Sequence, residues 1–449
     1  MKAYDLVVIG AGPSGTLAAI SAARAGAKVL LIEKNGYPGG TNTAGMVNPL
    51  MTFHAGRVQV IKGLAQEIVD RLGKYDATLG HIPDPIGMVS TITPIDTEVL
   101  KIVYFEMLSE EPKITVLFNT FLLGSSFDEG KVNSVTVVNK SGISVYKGKN
   151  FIDASGDGDL AFYCKAEYTL GRTKDGFTQP MTLMFKANGV NISKIVKYVQ
   201  QNPEQFILNS SCDLNKYLAV SGFFKEITKA KEAGDLNIPR DRVLFFQGIH
   251  PGEVLVNMSR VVGMSGVNAK DLSIAEVEAY KQVKEIMNFL IKYIPGFEHA
   301  YIQGIADVTG VRESRRIIGR KTLTIEDVLE NREQEDSVAL CAYPIDIHDP
   351  LGSDLIWMRK EQGSCYDIPF GIMVPKHFSN LLVTGRCVSA VHEALASARI
   401  SATAMAMGEA AGLATALATK HNIPVADCDI SELQKQLVLQ NAIPGKKWL

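Results

Sequence analysis

The sequence contains no Cys-x-x-Cys pair. Its six cysteines stand as single positions spread along the chain: Cys164, Cys212, Cys341, Cys365, Cys387 and Cys428. This spacing argues against an iron–sulfur cluster, a zinc site or a dithiol redox centre. Because scattered single cysteines are typical of reduced thiols, we expect a cytoplasmic protein without a resident metal.

The sequence also lacks an excess of charge of either sign. It has 46 Lys and Arg residues against 48 Asp and Glu, a formal net charge of −2. This balance favours neither nucleic acid nor an anionic membrane as a partner. No apolar run reaches the length of a membrane span, and a predicted strand begins almost at Met1, so we expect no membrane segment and no signal sequence.

A glycine-rich turn lies between two predicted strands near the start of the chain. Residues 4–9 form an apolar run typical of a strand, residues 16–25 predict a helix, and residues 28–33 predict a second strand. Between the first strand and the helix lies a G-x-G-x-x-G turn: Gly10, Ala11, Gly12, Pro13, Ser14 and Gly15. The order strand, turn, helix, strand and final acid is the dinucleotide-binding fingerprint in its expected context.

Each part of this turn has a physical reason. Gly10 allows a sharp turn out of the strand, Gly12 allows the backbone to approach a pyrophosphate, and Gly15 allows the helix to pack close to the strand. The helix N-terminus presents unpaired N–H groups and a partial positive charge to the phosphates. At the end of the second strand, Glu33 is placed to accept a hydrogen bond from a ribose hydroxyl.

Further turns follow predicted strands later in the chain. Lys34 is followed by the loop Gly39-Gly40-Thr41. Much later, the run at 114–118 predicts a strand. A three-stranded meander is predicted after it, at 121–127, 132–139 and 143–146. An apolar strand at 150–154 ends in Ser155, Gly156 and Asp157. Near the C-terminus a strand at 380–384 ends in Gly385 and Arg386, and an Ala- and Gly-rich helix begins at about Ser401, Ala402 and Thr403.

Together these blocks resemble the FAD-dependent oxidoreductase family within the glutathione-reductase-like superfamily of flavoproteins. The resemblance implies FAD as cofactor, with Glu33 at the adenosine ribose and Gly39-Gly40 near the pyrophosphate and ribitol. It also places the turn at 155–157 near the adenosine end, and backbone N–H groups of 401–403 at the pyrimidine edge of the flavin. Where many relatives have Gly-Asp, this chain has Gly385-Arg386, so an arginine could serve the phosphate or an anionic reduced flavin instead.

The resemblance implies a discontinuous α/β cofactor domain. A Rossmann-type FAD-binding domain of parallel sheet, helices and three-stranded β-meander would take residues 1–165 and 370–449. An inserted α+β substrate domain would take residues 166–369. In that segment, residues 274–293 predict a helix with Ser273 as its N-cap.

Three residues are candidates for the reaction itself. Among the cations Arg312, Arg315 and Arg316, the resemblance favours Arg312, whose guanidinium could hold a substrate carboxylate bidentately. His348 and His392 have a near-neutral reference pKa suited to acid–base work, although a purely structural histidine is an equally good reading of each.

We therefore predict an enzyme that transfers a hydride between a small organic substrate and flavin N5. The alternatives are a flavin-dependent monooxygenase and a non-catalytic FAD-binding electron-transfer subunit. The middle of the chain has no second G-x-G-x-x-G after a strand, and no cysteine pair follows Gly39-Gly40. Electrons would then enter and leave through small molecules or a separate donor or acceptor. The sequence leaves open the identity of the substrate, the direction of electron transfer, the mode of flavin attachment and the oligomeric state.

Overall fold

The computed structural model describes residues 3–350, 352, 355–358 and 363–449. The strands are, in chain order, β1 Ala3–Ile9, β2 Val29–Ile32, β3 Leu50–Met51, β4 His54–Ala55, β5 Val58–Gln59, β6 Ile82–Pro83, β7 Thr91–Thr93, β8 Ile114–Leu117, β9 Phe121–Asp128, β10 Lys131–Asn139, β11 Gly142–Asp153, β12 Tyr168–Leu170, β13 Phe185–Asn188, β14 Ala219–Gly222, β15 Val243–Gln247, β16 Val254–Val256, β17 Tyr301–Ile305, β18 Arg315–Ile317, β19 Ser337–Cys341, β20 Ile345–His348, β21 Leu355–Met358, β22 Tyr366–Pro369 and β23 Leu381–Val383. The α-helices are α1 Pro13–Arg24, α2 Leu64–Gly73, α3 Thr97–Ser109, α4 Asp159–Tyr163, α5 Ile192–Gln201, α6 Phe224–Glu232, α7 Ala269–Tyr293, α8 Ile325–Leu329, α9 His392–Ala398, α10 Ser401–His421 and α11 Ile430–Leu439.

A seven-stranded sheet organises the two ends of the chain. Its strand order is β8-β2-β1-β11-β10-β9, and β23 also pairs with β11. The pairs β1–β2, β2–β8, β1–β11 and β11–β23 are parallel. Every residue of β2 is buried, as expected of a parallel strand that is covered on both faces. The predicted α/β class with a parallel sheet and helices is therefore confirmed.

The meander is joined to the parallel sheet through a single long strand. β11 pairs antiparallel with β10 through Gly142–Lys147 and parallel with β1 through Lys147–Asp153. The sequence pattern predicted two strands here, at 143–146 and 150–154. They form one strand because the intervening residues 147–149 continue the extended backbone, and exposure alternates from Ile143 to Lys149.

Two helices meet unusually closely beside this sheet. A side chain at Gly408 of α10 would overlap the backbone carbonyl of Ser14, and one at Gly412 would overlap that of Ala18. Glycine at both positions lets the backbones of α1 and α10 approach each other directly. The start of α1 is thereby held against the middle of α10.

A second, antiparallel sheet occupies the middle of the chain. Its strand order is β14-β15-β16-β13-β17, and residues of α5, α6 and α7 pack with it into a separate hydrophobic core. A smaller three-stranded sheet, β3-β7-β6, comes from the segment that follows the Gly39-Gly40 loop. The core around the seven-stranded sheet also includes buried residues between Ile317 and Ile347, so the division at residues 165 and 370 stays a proposal.

The start of α7 differs from the prediction. The helix begins at Ala269, with Asn268 as its N-cap, because the Asn268 side chain accepts hydrogen bonds from the N–H groups of Lys270 and Asp271. The hydroxyl of Ser273 donates back to the carbonyl of Ala269, inside the helix. Ser273 is therefore not the cap, since an asparagine one turn earlier competes successfully for that position.

Among the described helices, none is by itself both long and apolar enough to cross a membrane, whereas α9 and α10, which meet at a bend of 88°, meet those criteria together.

Candidate functional site

A cavity of about 600 Å³ runs between the two large sheets. At one end it is lined by the glycine turn after β1, and at the other by Arg312, Asp346 and His348. Residues 41–51 and 84–88 close one side. A cavity with a backbone-lined end and a charged end is the kind of concave site that holds a cofactor beside a substrate.

The glycines of the turn are required by close backbone packing. Gly10 has a φ of +94°, and a Cβ there would stand 2.5 Å from the carbonyl oxygen of Ala154. A side chain at Gly15 would overlap the carbonyl oxygen of Gly10. Gly12 differs from both, because no heavy atom of the described chain lies within 4 Å of a Cβ built on it. Gly12 faces open cavity, as a backbone that receives a pyrophosphate would.

The first turn of α1 opens onto the same space. Gly12 is the N-cap, Pro13 begins the helix, and no side chain among the described residues caps it. Gly12, Pro13 and Ser14 all line the cavity, whereas Gly15 packs behind it. The unpaired N–H groups and positive end of this helix are therefore available to an anionic group.

Glu33 is buried at the cavity wall and already holds the turn in place. Its two carboxylate oxygens accept hydrogen bonds from the N–H groups of Ala11, at 2.6 Å, and Asn35, at 2.8 Å. Each oxygen keeps a second lone pair for a hydroxyl. Burial raises the pKa of Glu33, and the backbone N–H groups counter that effect. Lys34 lines the cavity beside it.

The Gly39-Gly40 loop packs directly against the glycine turn. The N–H of Gly39 donates to the carbonyl of Ala11 at 2.7 Å. A Cβ at Gly40 would stand 2.9 Å from the Cα of Gly12. Gly40 and Thr41 line the cavity, whereas Gly39 lies behind them.

Arg386 is held by an ion pair rather than projecting freely. Its Nη2 lies 2.8 Å from Oδ1 of Asp157, and its Nη1 donates to Ser314 Oγ at 2.7 Å. Burial would raise the pKa of Asp157, but Arg386 and the Ser314 hydroxyl lower it overall. Arg386 and Asp157 line the cavity together with Ser155, Gly156 and Gly385. Gly385 also follows Thr384, whose hydroxyl lies 2.6 Å from that of Ser14.

Of the three residues at the start of α10 that are predicted as backbone donors, one lines the cavity. Ser401 lines it, whereas the side chains of Ala402 and Thr403 are buried away from it. No side chain in the described ranges caps this helix. The backbone N–H groups of all three residues therefore remain free of side-chain partners for the role that the resemblance assigns to them.

Arg312 and His348 lie together at the far end of the cavity. Arg312 Nη1 donates to the carbonyl of Pro180 at 2.6 Å and to Thr182 Oγ1 at 2.7 Å. Burial and the nearby cations lower the pKa of Arg312 to about 9. His348 Nε2 lies 3.3 Å from Oδ2 of Asp346.

His348 does not keep the near-neutral pKa that favoured it as an acid or base. Burial, followed by the Arg312 charge, lowers its pKa to about 3. The imidazole is therefore neutral at pH 7. In this state it can contribute a hydrogen bond from one ring nitrogen and accept one at the other.

His392 does not line the cavity, and this corrects the expectation for it. It is the first residue of α9, and its Nδ1 lies 2.9 Å from Glu313 Oε2 in the buried wall behind the site. Its Nε2 is buried without a hydrogen-bond partner in the described part of the chain. Arg315 and Arg316 are likewise turned away, paired with Asp159 and Glu313.

Several residues that line the cavity were not among the candidates predicted from the sequence. Arg240, Arg399, Asp346 and Tyr343 line the same end as Arg312. Asp346 and His348 are two residues apart on β20, a spacing that puts both side chains on one face of a strand and could have drawn attention to Asp346. Arg240 and Arg399 lie outside any recognisable motif.

Within the described ranges, no group of three or more His, Cys, Asp or Glu side chains is placed to hold a metal ion. The neighbouring carboxylates Asp157 and Asp159 form ion pairs with Arg386 and Arg315.

Comparison with known families gives one match over nearly the whole chain. The family described as FAD dependent oxidoreductase matches residues 5–437. Similarity to individual curated proteins is local. A thiamine thiazole synthase from Aeropyrum pernix is 41% identical over 70 residues, 15% of this chain and 23% of that protein. A sarcosine oxidase subunit alpha from Rhizobium meliloti is 57% identical over 37 residues, 8% of this chain and 4% of that protein. The chain thus spans less than a quarter of the length of these relatives.

Solved structures resemble the chain along its whole length at low sequence identity. A geranylgeranyl bacteriochlorophyll reductase-like protein from Thermoplasma acidophilum is 14% identical with a TM-score of 0.48, covering 98% of this chain and 84% of that one. A p-nitrophenol 4-monooxygenase from Pseudomonas putida is 12% identical with a TM-score of 0.46, covering 99% of this chain and 87% of that one.

Proposed function

The chain belongs to the family of FAD-dependent oxidoreductases, and from this premise we propose that it transfers a hydride between a small organic substrate and N5 of the flavin. The observation that carries the proposal is one continuous cavity with a glycine turn at one end and Arg312, Asp346 and His348 at the other. We also propose that it lies within the glutathione-reductase-like superfamily.

The residues at the glycine end fit an FAD molecule. Gly12 faces open space, the start of α1 carries unpaired N–H groups, and Glu33 keeps acceptor capacity for a ribose. These are the three features that a dinucleotide requires of its site. Ser401 and the first turn of α10 would hold the ring at the other end of the cofactor.

When bound, the flavin supplies the hydride chemistry, which needs no further prosthetic group. The chain's own task is to hold the substrate beside it. Arg312 is the group best placed to orient the substrate, because two neutral oxygens fix its Nη1 while the guanidinium lines the cavity. Met184, Leu244 and Phe246 supply apolar wall at this end and exclude water.

Protons at the substrate end are held by a short hydrogen-bonded chain. The hydroxyl of Tyr343 donates to Asp346 Oδ2 at 3.3 Å, and the same oxygen lies 3.3 Å from His348 Nε2. The ionised Asp346 has its pKa lowered by His348 and by the nearby arginines, against the effect of burial. In this arrangement Asp346 holds both neighbours in fixed orientations.

The test is to purify the protein, record its absorbance spectrum and screen organic acids, amines and alcohols anaerobically. We expect bound FAD and bleaching of its oxidised spectrum by a true substrate. Arg312→Ala should slow the bleaching by about tenfold or more while leaving FAD content unchanged. A protein that neither contains FAD nor takes it up would overturn the proposal, and unchanged bleaching in Arg312→Ala would overturn the role of Arg312.

The same preparation separates the alternatives. Rapid mixing of the reduced protein with oxygen in the presence of substrate tests a monooxygenase, which would give an oxygenated product. Flavin that is reduced by light, but by no small molecule, and reoxidised only by a second protein would identify an electron-transfer subunit instead.

A further inference from the structure

Three arginine side chains converge on the substrate end of the cavity: Arg240, Arg312 and Arg399. The charges of Arg240 and Arg399 act on Arg312, and the contacts of Arg312 and Arg240 lead to one short segment of the chain. Arg312 donates to Thr182 Oγ1, which donates in turn to the carbonyl of Ser259 at 2.9 Å. Arg240 Nη2 donates to the carbonyl of Asn257 at 2.9 Å. Because Asn257 and Ser259 are two residues apart, their carbonyls are separated by roughly 7 Å at most.

The arginines are held by neutral groups, and two of them retain buried donors. Among the described residues, the hydrogen-bond partners of Arg312 and Arg240 are backbone carbonyls and a hydroxyl, none of which carries charge. Nε of Arg240 and Nε of Arg399 are buried and have no hydrogen-bond partner within the described residues. A buried donor left unpaired costs about 1–3 kcal/mol, and more when it belongs to a charged group.

The negative charge around this cluster does not match the positive charge. Asp346 is a carboxylate whose charge acts on Arg312 and Arg399, and His348 and Tyr343 already share one of its oxygens. Asp84 accepts from the backbone N–H groups of Ile86, Met88 and Val89, and Glu276 accepts from that of Thr309. Arg260 adds a further positive charge close to Arg240 and Arg312. Among the described residues at this end, the arginines therefore outnumber the carboxylates that act on them.

Arg242 lines the same cavity and shows the contrasting arrangement. Its Nε and Nη2 donate to both carboxylate oxygens of Asp241, at 2.9 and 2.7 Å. Its charge is therefore balanced within the chain. The electrostatics of two of the other arginines agree with an excess of positive charge. Burial together with neighbouring cations lowers the pKa of Arg240 to about 10 and that of Arg312 to about 9.

The cluster is separate from the position of the dinucleotide phosphates. Gly408 of α10 packs against Ser14, at the start of α1. Arg399 precedes α10, nine residues before Gly408 along the chain. At a rise of 1.5 Å per helical residue, the seven steps from Ser401 to Gly408 alone span about 10 Å. The cationic end thus lies well beyond the helix terminus that would receive the pyrophosphate.

We propose that the substrate is an organic anion, and that Arg240, Arg312 and Arg399 bind its carboxylate or phosphate group. This inference rests on the proposed function, since the bound anion is what the flavin would oxidise or reduce. A planar guanidinium binds either group through paired N–H donors, and several guanidiniums together favour a substrate with two or more oxygens of negative charge.

The test measures binding of simple oxyanions to the FAD-loaded protein. Succinate and inorganic phosphate are titrated by calorimetry, with succinamide as the neutral counterpart of succinate, and flavin absorbance is recorded alongside. We expect at least one anion to bind and to perturb the flavin spectrum, and succinamide to bind at least tenfold more weakly than succinate. Preference for succinate identifies a carboxylate substrate, and preference for phosphate identifies a phosphate ester.

Variants assign the binding to the cluster. Arg240→Gln, Arg312→Gln and Arg399→Gln should each weaken binding of the preferred anion by about tenfold or more. Arg312 and Arg399 are half-buried, whereas Arg240 is buried. Arg320→Gln, an exposed arginine paired with Asp427 away from the cavity, is the matched control and should change the affinity by less than twofold. FAD content and melting temperature are measured for every variant.

Two failures are distinguishable. A protein that holds FAD but binds neither succinate nor phosphate, or binds succinamide equally well, overturns the anion inference and leaves the proposed function standing. Affinities that are unchanged in all three cavity variants overturn it as well. A protein that does not take up FAD overturns the proposed function, whatever the anions do.

Discussion

The two ends of the cavity are built in different ways. The glycine end is made of backbone: Gly10, Gly12, Gly15 and Gly40 lie against one another, and its charges are balanced, as in the pair of Arg386 and Asp157. The other end is made of long side chains from distant segments, with more positive than negative charge. The comparison shows that shape holds the cofactor end and charge distinguishes the substrate end. Changes in side-chain volume should therefore damage the first, and changes in charge the second.

The largest expected effect is at Gly15. Gly15→Val would force a branched side chain into the carbonyl of Gly10, and overpacking of this kind costs about 3 kcal/mol or more when backbone must move. We expect a matching loss of unfolding free energy in urea and loss of FAD. The control is Gly73→Ala at the end of α2, where a Cβ has open space, and its stability should change by less than about 1 kcal/mol. A Gly15→Val protein with normal stability and normal FAD content would show that the close packing is not required.

The next effect is smaller per pH unit and concerns the charge of Glu409 on α10, next to the start of α2. Burial raises its pKa to about 8, against the hydrogen bond from Leu64 N–H. The folded protein therefore holds a proton that the unfolded chain releases above its ordinary pKa of 4.5. Stability contributed by this proton is present below pH 4.5 and is lost as the pH rises through 8. Between pH 5 and 8 the unfolding free energy should fall by up to about 1.4 kcal/mol per pH unit more than in Glu409→Gln. Parallel pH curves for the two proteins would mean that Glu409 is ionised in the fold.

Gly12→Ala separates cofactor binding from folding. Since a Cβ at Gly12 meets no other heavy atom of the described chain within 4 Å, the unfolding free energy should change by less than about 0.5 kcal/mol. The methyl group would occupy the space through which a pyrophosphate approaches, and FAD affinity should fall by about tenfold, equivalent to about 1.4 kcal/mol. The measurement is a fluorescence titration of the apoprotein with FAD. Unchanged affinity would place the phosphates elsewhere.

The smallest expected effect is the absence of a pH-dependent shift in the side-chain NMR signal of His348. Because burial and Arg312 lower the pKa of His348 to about 3, its imidazole should remain neutral from pH 5 to 8. Nitrogen-15 spectra of the histidine side chains, with His348→Asn used to assign the resonance, should show no titration of His348 in this range. A midpoint near 6.5 would mean that the substrate end is solvated, and the contrast between the two ends would be weaker.

The sequence singled out most residues that line the glycine end of the cavity, but only Arg312 and His348 among those at the other end. Gly10 to Gly15, Glu33 and the Gly39-Gly40 loop lie close together in the chain, and each has a local conformational or packing role that its residue type reveals. His392 misled the prediction because its pairing with Glu313 depends on α9 packing against a segment 79 residues away. Arg240 and Arg399 carry no local signal at all, since an arginine in a loop usually lies in solvent.

By itself, the sequence determined the parallel α/β sheet and the glycine turn. The positive φ and close approach that glycine allows, and the periodicity of a strand, are properties of residues near one another in the chain. Only the tertiary structure decided that Arg240, Arg312 and Arg399 share one cavity end, that β11 is a single strand, and that His348 is neutral. Those outcomes depend on burial and on charges from segments that are distant in the chain, and such long-range contacts exist only after the two sheets have packed together.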